Sequence, residues 1–450
     1  MKEKVCVIGL GYVGLPLACL CAKKGFDVLG YDLKKDIVDK TNKGICHIKD
    51  KNLKKALKDA KGLRATIDPK ELAQCTTYIV CVPTPVNDQK TPDMSPLEGA
   101  SKLISTYLKK ADLVIIESTV FPGTCEEIVK PILEKTGLVA GKDFHLAHCP
   151  ERVNPGDVFW TTENIPRVVG AMSAQGTERA AKFYQKLLGG PIYDVSNIKN
   201  ALRPKIVPID GSYKLNTVPL GTITKMNSIK DAEAVKAMEN TVRDVNIAFV
   251  NELAKISDVL NLDVVDIIEG MATKPFGKGP FYPGIGVGGH CIAVDPEWLK
   301  AASIKAGFFP KLIQISRDTN NSMPEYAISI VEKNMNKKSK VAVLGVTYKG
   351  NIDDPRESPY YEIKKILINK KLIFDVYDPW YEKENTVSSI EKCLSEKDIL
   401  LLVTDHGIFK EKLTAGYLKS TGIKVVVDGR NCLDADKIKA AGIKYKGIGR

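Results

Sequence analysis

The stretch from Lys4 to Asp32 constrains the fold more than any other part of this chain. Lys4 to Gly9 is a short apolar run, Gly9-Leu10-Gly11-Tyr12-Val13-Gly14 follows it, and an apolar helical pattern continues through Ala22. Asp27 to Tyr31 is a second strand, with Asp32 at its end. A strand, a glycine loop, a helix and an acid-terminated strand within about thirty residues form a dinucleotide-binding unit. The glycines let the backbone approach a pyrophosphate that rests on the helix N-terminus. Asp32 is placed to accept from both ribose hydroxyls and would repel a 2'-phosphate, so the reading is NAD rather than NADP.

Alternation continues with strands at Tyr78 to Val82, Leu113 to Glu117, Phe144 to His148 and Arg167 to Gly170, which predicts a parallel, doubly wound sheet. Three strand ends carry Pro83-Thr84-Pro85, Glu117-Ser118-Thr119 and Pro150-Glu151-Arg152-Val153-Asn154-Pro155-Gly156, and these loops should ring one crevice. Glu151 is a candidate base or water-activating carboxylate; the alternative is that it serves only as the partner of Arg152. Thr124 to Glu127 has the form of a capping box opening a helix. His145 and His148 fall on opposite faces of their strand, so no metal site is expected.

From Asn197 to Asn227 the pattern dissolves into prolines, basic residues and threonine-rich turns, predicting a long loop or small subdomain. Asp231 to Leu260 reads as one long helix, with Val235, Met238, Val242, Val245, Phe249, Leu253 and Ile256 as its core positions. Lys236, Asn240 and Arg243 share a stripe of it. That stripe is either a solvated face or a set of donors suited to a developing oxyanion and a phosphorylated substrate.

Gly286-Val287-Gly288-Gly289-His290-Cys291-Ile292-Ala293-Val294-Asp295-Pro296 follows. With Asp295 as N-cap and Pro296 at the first helical position, Cys291 would stand just ahead of a helix N-terminus, where the dipole favours a thiolate nucleophile. Locally, a small core cysteine is equally compatible. A second α/β block opens at Val341 to Val346 without a full glycine fingerprint. Ser358 and Pro359 are predicted as N-cap and first helical residue, and strands follow at Leu372 to Tyr377, Ile399 to Thr404 and Lys424 to Asp428. This block contains no acid-ended dinucleotide unit on this reading, and is expected to bind a nucleotide part of a substrate.

The 450 residues imply two or three domains, and the net charge of +12 is spread along the chain without an aromatic-basic motif, which argues against nucleic acid and for a small polyanionic ligand. Eleven cysteines, several inside apolar runs, indicate reduced thiols and a cytoplasmic setting. No stretch reaches membrane-spanning length, and the chain enters a strand too early for a signal peptide, so no membrane partner is expected.

Taken together, Gly9 to Pro16, Val82 to Pro85, Glu117 to Thr124, Pro150 to Gly156, Ala232 to Asn240, Gly288 to Pro296 and Gly345 to Pro359 resemble the UDP-glucose/GDP-mannose dehydrogenase family over nearly the whole chain. The resemblance implies an α/β protein of two Rossmann-like, doubly wound parallel-sheet domains joined by a long central helix. Its expected parts are an NAD domain over 1–196, an insertion over 197–227, a central helical dimerisation domain with the catalytic cysteine over 228–325, and a UDP-sugar-binding domain over 326–450. It implies a homodimer that oxidises the C6 alcohol of a nucleotide-sugar to a carboxylate with two NAD, for surface polysaccharide or glycan precursor synthesis.

By the same resemblance Cys291 captures the aldehyde, Lys236 and Asn240 hold the C6 oxygen, Glu151 and Asp295 are tied to hydrolysis, and Thr119 orders water and contacts the cofactor. Gly9, Gly11, Tyr12, Val13, Gly14, Asp32, Thr84, Thr119 and Arg356 are the implied NAD contacts. Arg152, Val153, Lys236, Asn240, Arg243, Gly286, His290, Tyr348 and Lys349 are the implied substrate contacts. The Pro150 to Gly156 loop and the histidine before Cys291 are similar to the UDP-N-acetylhexosamine branch, with UDP-glucose or GDP-mannose as the alternative substrates. Ala272 to Phe276 lacks the His-Pro-Arg form of many relatives, and Lys274 is the candidate replacement for their cross-subunit arginine. A two-electron β-hydroxyacid dehydrogenase would share the dinucleotide fold and the Lys and Asn four apart, but would need neither Cys291 nor the C-terminal block. A non-catalytic NAD-dependent regulator would not need Lys236, Asn240 and Cys291 together.

Overall fold

A computed structural model describes residues 3–48, 50–85, 92–153, 159–197, 208–209, 212–213, 221–274 and 280–450. The chain divides into two compact units, Met1–Glu239 and Asn240–Arg450.

The first unit is built on a nine-stranded sheet. Its strands are β1 (Lys4–Ile8), β2 (Asp27–Tyr31), β3 (Leu63–Thr66), β4 (Thr77–Val80), β5 (Leu113–Ile116), β6 (His145–His148), β7 (Arg167–Ala171), β8 (Ile192–Asp194) and β9 (Ile223–Lys225). Their order across the sheet is β3-β2-β1-β4-β5-β6-β7-β9-β8. Val5, Val7, Leu17, Ile79, Ile115 and Ala147 are buried on one shared core, as expected where helices cover both faces of a parallel sheet. The sheet is parallel from β3 through β6, but β7 runs antiparallel to β6, with Ala147 opposite Ala171 and His148 opposite Gly170. The sequence predicted β7 as another parallel strand. Its reversal carries Arg167, the first residue of β7, to the carboxyl ends of β5 and β6.

Within the expected 197–227 insertion, Ile223–Lys225 is a strand of this sheet, paired parallel to both β7 and β8. Pro208–Ile209 and Ser212–Tyr213 form a short antiparallel pair. The rest of 198–220 lies outside the described residues.

The long helix runs Ile229–Leu260, 32 residues. Its start is fixed by a reciprocal cap: the Asp231 N–H donates to Ser228 Oγ at 3.0 Å, and that hydroxyl donates to Asp231 Oδ2 at 2.8 Å. The predicted core stripe is wrong in four places, because Met238, Val242, Phe249 and Ile256 are exposed. The buried positions are instead Ile229, Ala232, Glu233, Lys236, Ala237, Thr241, Asp244, Ala248, Val250, Asn251, Ala254 and Ser257, most of them small or polar. Close packing explains the choice of small side chains: a Cβ on Gly170 of β7 would stand 2.1 Å from the Ser228 carbonyl oxygen.

The second unit contains a five-stranded parallel sheet of β10 (Val341–Leu344), β11 (Phe374–Tyr377), β12 (Ile399–Leu402), β13 (Val425–Asp428) and β14 (Lys444–Gly447), in the order β11-β10-β12-β13-β14. Ser358 caps the helix Pro359–Asn369 as predicted, accepting from the Tyr360 N–H, with Pro359 at the start. One expectation fails. β11 ends directly on Asp378, so this block does possess an acid-ended second strand, and the two units repeat one design. Gly9 has φ +91° and Gly345 φ +100°; the Gly9 N–H donates to the Tyr31 carbonyl and the Gly345 N–H to the Tyr377 carbonyl. The Leu10 N–H donates to Asp32 and the Val346 N–H to Asp378. The loops Gly9-Leu-Gly-Tyr-Val-Gly14 and Gly345-Val-Thr-Tyr-Lys-Gly350 correspond, with Thr347 where the first has Gly11.

In the second copy the acid is closed off. Asp378 is fully buried and accepts from the N–H groups of Val346, Thr347, Trp380 and Tyr381 and from His406 Nε2. His406 Nδ1 accepts from the Asn351 N–H, which leaves Nε2 as the donor. A ribose has no free lone pair to reach there, and the threonine side chain stands where a pyrophosphate would need a glycine.

Candidate active site

In the first unit the glycine loop is built for close approach. A Cβ on Gly14 would fall 1.8 Å from the Gly9 carbonyl oxygen, so helix Gly14–Lys23 can abut β1 only with glycine there. A Cβ on Gly11 would meet nothing within 4 Å, leaving that edge open. Tyr12 is exposed and Val13 half-buried beside it. Asp32 takes the Leu10 N–H on Oδ2 at 2.9 Å and the Lys34 N–H on Oδ1 at 2.9 Å, which fixes its carboxylate at the end of β2 with acceptor capacity remaining on both oxygens. These residues fit NAD. Thr84 is buried, and its hydroxyl donates to the Thr119 carbonyl at 2.8 Å, so it shapes the loop that carries Thr119.

The long helix grips that same loop twice. Lys236, 9% exposed, donates from Nζ to Thr119 Oγ1 at 2.8 Å. One turn earlier, Glu233 accepts from the N–H groups of Gly123 at 2.6 Å and Cys125 at 2.7 Å. The expected capping box at Thr124 to Glu127 is therefore absent. Thr124 is already helical and its hydroxyl donates to the Phe121 carbonyl, so the orphan donors of the turn Cys125–Val129 are satisfied from the long helix instead.

Glu151 is not the partner of Arg152. Arg152 pairs with Glu239, its Nε donating to Oε2 at 3.0 Å. Glu151 Oε1 accepts from the N–H groups of Arg152 at 2.7 Å and Val153 at 2.8 Å. Its Oε2 lies 2.6 Å from Arg167 Nη2, a close charge contact that is off-line for a hydrogen bond. Arg167, 1% exposed, also reaches Glu117 Oε2 at 3.3 Å, and Tyr184 donates its hydroxyl to Glu117 Oε1. Two buried carboxylates thus share one guanidinium. Burial pushes Glu117 up to about 7, against the pull of Arg167 and with a further push from Glu151. His148 is also buried, and burial with the nearby Lys236 charge lowers it to about 3, so it is neutral. Asn154, Pro155 and Gly156 of this loop lie outside the described residues.

In the second unit the helix runs His290–Lys305. Cys291 therefore falls in its first turn rather than ahead of it, preceded by Gly289 at φ +83°. The side chains of His290 and Cys291 lie outside what the structure describes. Asp295 is not an N-cap and Pro296 is not a first residue; both are inside the helix. Asp295 is fully buried and accepts from Asn240 Nδ2 at 2.6 Å, which brings together two of the expected catalytic residues. Arg243 is exposed.

The glycines before Cys291 are needed for packing. A Cβ on Gly288 would stand 2.6 Å from Tyr348 Cβ, and one on Gly289 2.7 Å from the Tyr348 ring. At Gly286, φ +116° places a Cβ 3.1 Å from the Asn320 carbonyl oxygen. Tyr348 and Lys349 are half-buried. Arg356 donates to Asp354 through Nε and Nη2, at 2.8 and 2.6 Å. Lys274 is exposed, and residues 275–276 lie outside the described residues.

An NAD-binding fold whose long helix carries Lys236 and Asn240, followed by a cysteine in a helix's first turn, defines an NAD-dependent dehydrogenase. Comparison with known proteins makes this specific. The UDP-glucose/GDP-mannose dehydrogenase family matches in its NAD binding domain over residues 3–188, its central domain over 230–322 and its UDP binding domain over 342–435. The chain belongs to that family and is an NAD-dependent UDP-sugar 6-dehydrogenase. It is 34% identical to UDP-N-acetyl-D-mannosamine dehydrogenase of Pyrococcus horikoshii, over 99% of both chains. It is 35% identical to UDP-N-acetyl-D-glucosamine 6-dehydrogenase of Salmonella typhi, over 91% of each. The solved Pyrococcus horikoshii enzyme superposes with a TM-score of 0.86, covering 100% of this chain and 99% of that one. No helix among the described residues is long and apolar enough to cross a membrane.

Proposed function

We propose that the protein oxidises the C6 alcohol of a UDP-N-acetylhexosamine to the uronate in two steps, with Cys291 as the covalent nucleophile. The observation that carries this reading is the position of Cys291 in the first turn of a 16-residue helix, where unpaired N–H groups and the dipole favour a thiolate. The Pro150 to Gly156 and Gly288 to Pro296 motifs, and relatives named for UDP-N-acetylmannosamine and UDP-N-acetylglucosamine, support the choice of sugar.

NAD, when bound, supplies the hydride acceptor for each oxidation. Lys236 and Asn240 hold the C6 oxygen as negative charge develops on it, and Thr119 orients the Lys236 ammonium. At the aldehyde stage the Cys291 thiolate adds to the carbonyl carbon to give a thiohemiacetal, whose oxidation leaves a thioester. Water then attacks the thioester carbon, with Glu151 taking its proton, and Asp295 holds Asn240 in place. Arg152, Val153, Arg243, Gly286, His290, Tyr348 and Lys349 are the proposed substrate contacts, and Arg356 a cofactor contact.

A homodimer belongs to the same proposal, supported by the exposed apolar stripe Met238, Val242, Phe249 and Ile256. The test is a panel of UDP- and GDP-sugars with NAD, counting NADH per sugar. Two NADH and a higher kcat/KM for a UDP-N-acetylhexosamine are expected; preference for UDP-glucose would reject the sugar, and one NADH per sugar the four-electron course.

A further inference from the structure

Arg167 has no assigned role, yet it is a cation only 1% exposed inside the first unit. A buried guanidinium between two carboxylates is costly to maintain, and stability alone is a poor reason to keep one. Its placement depends on the reversal of β7. Continuing the register of His148 opposite Gly170 by three residues on each strand brings Glu151 opposite Arg167. Arg167 contacts Glu151 Oε2 at 2.6 Å while Glu117 and Tyr184 hold its other side. Glu151 Oε1 is meanwhile occupied by two backbone N–H groups.

We propose that Arg167 is the positioning residue for Glu151, with Glu117 and Tyr184 as its anchor, and that it sets the orientation from which the Glu151 carboxylate acts in thioester hydrolysis. This rests on the hydrolytic reading of Glu151 given above. In that step the water oxygen bonds to the acyl carbon, the C–S bond breaks, one water proton passes to Glu151, and Cys291 leaves as the thiolate. The second water proton stays on the uronic acid and is lost to solvent as it ionises, Glu151 returns its proton to solvent, and the products are the uronate and the free enzyme with no net redox change. A misdirected carboxylate slows this step and leaves both hydride transfers intact.

The experiment is rapid mixing of the full-length enzyme with substrate and excess NAD, following NADH by absorbance and the intact mass of the protein. Arg167→Lys keeps a cation between the carboxylates but loses the two-pronged hold. The expected result is a burst of two NADH per chain at close to the wild-type rate. Turnover then falls ~10–100-fold, and a uronyl adduct appears on the protein. Burst and steady state slowed alike, with no adduct, overturns the proposal and makes Arg167 a structural residue.

Glu151→Gln is run beside it. If Glu151→Gln accumulates the adduct and Arg167→Lys does not, only the positioning role of Arg167 falls. If Glu151→Gln forms no adduct, the hydrolytic reading of Glu151 falls and takes the proposal with it. Should Arg167→Lys fail to fold, Glu117→Gln loosens Arg167 from its other side: a burst with adduct supports the proposal, and uniform slowing overturns it.

Discussion

Lys236 and Thr119 meet at 2.8 Å across 117 residues of sequence, the ammonium donating to the hydroxyl. The contact ties the long helix to the loop after β5, so the orientation of the ammonium depends on a residue of a different element. Removing the acceptor leaves a largely buried cation with one partner fewer, at a cost of ~1–3 kcal/mol. Thr119→Val is therefore expected to lower kcat by ~10–100-fold with the protein still folded. Turnover within twofold of wild type would show that Lys236 is oriented by something else.

Asp32 faces the ribose end of the dinucleotide unit with a carboxylate fixed by the Leu10 and Lys34 N–H groups. A 2'-phosphate placed there meets a like charge that cannot swing away. NAD should be preferred over NADP by at least tenfold in kcat/KM, ~1.4 kcal/mol. Asp32→Asn should narrow the gap by weakening NAD and tolerating NADP. Equal constants for the two cofactors in the wild type would remove Asp32 from this role.

Much of this architecture could be read from local pattern. The glycine loop, Asp32 and the Ser358-Pro359 helix start depend on neighbours within a few residues. What escaped was carried by contacts between distant segments. Glu233 caps Cys125 from 108 residues away, where no capping-box rule can find it. Arg167 reached the crevice only because β7 is antiparallel, a choice that apolar runs do not encode. On the long helix, size misled: large apolar residues were read as core, but close packing selected alanines and left Met238 and Phe249 outside. Asp378 was missed because Thr347 in place of a glycine hid the repeated unit.

Glu117 and His148 oppose one another in acid stability. Glu117 rises from 4.5 to about 7 on burial, so between those values the native state binds more protons than the unfolded chain, and its contribution is lost as pH rises. His148 falls from 6.5 to about 3, so the unfolded chain binds more protons there, and its contribution is lost as pH falls. Across pH 4.5 to 6.5 the two slopes run in opposite directions. Glu117→Gln should therefore leave stability falling on acidification below 6.5, and His148→Gln should leave it falling as pH rises toward 7. Urea midpoints measured at several pH values test this. Parallel curves for both variants and wild type would mean that neither group changes protonation on unfolding.

The nucleophilic role of Cys291 separates the two oxidations. An aldehyde gives up no hydride until something has added to its carbonyl, whereas the alcohol needs only loss of its proton as the hydride departs. Cys291→Ala is expected to lose acid formation by several orders of magnitude. Lys236, Asn240 and Thr119 remain, so the variant should still reduce an added UDP-sugar aldehyde with NADH. That reverse direction is the cleaner assay, because the alcohol-aldehyde equilibrium favours alcohol. If Cys291→Ala makes uronate at near the wild-type rate with two NADH per sugar, covalent catalysis is wrong and Cys291 is a packing residue. If a folded Cys291→Ala loses aldehyde reduction as well, the thiol shapes the pocket for both steps, and the assignment as nucleophile must then rest on detecting the acyl adduct in the wild type.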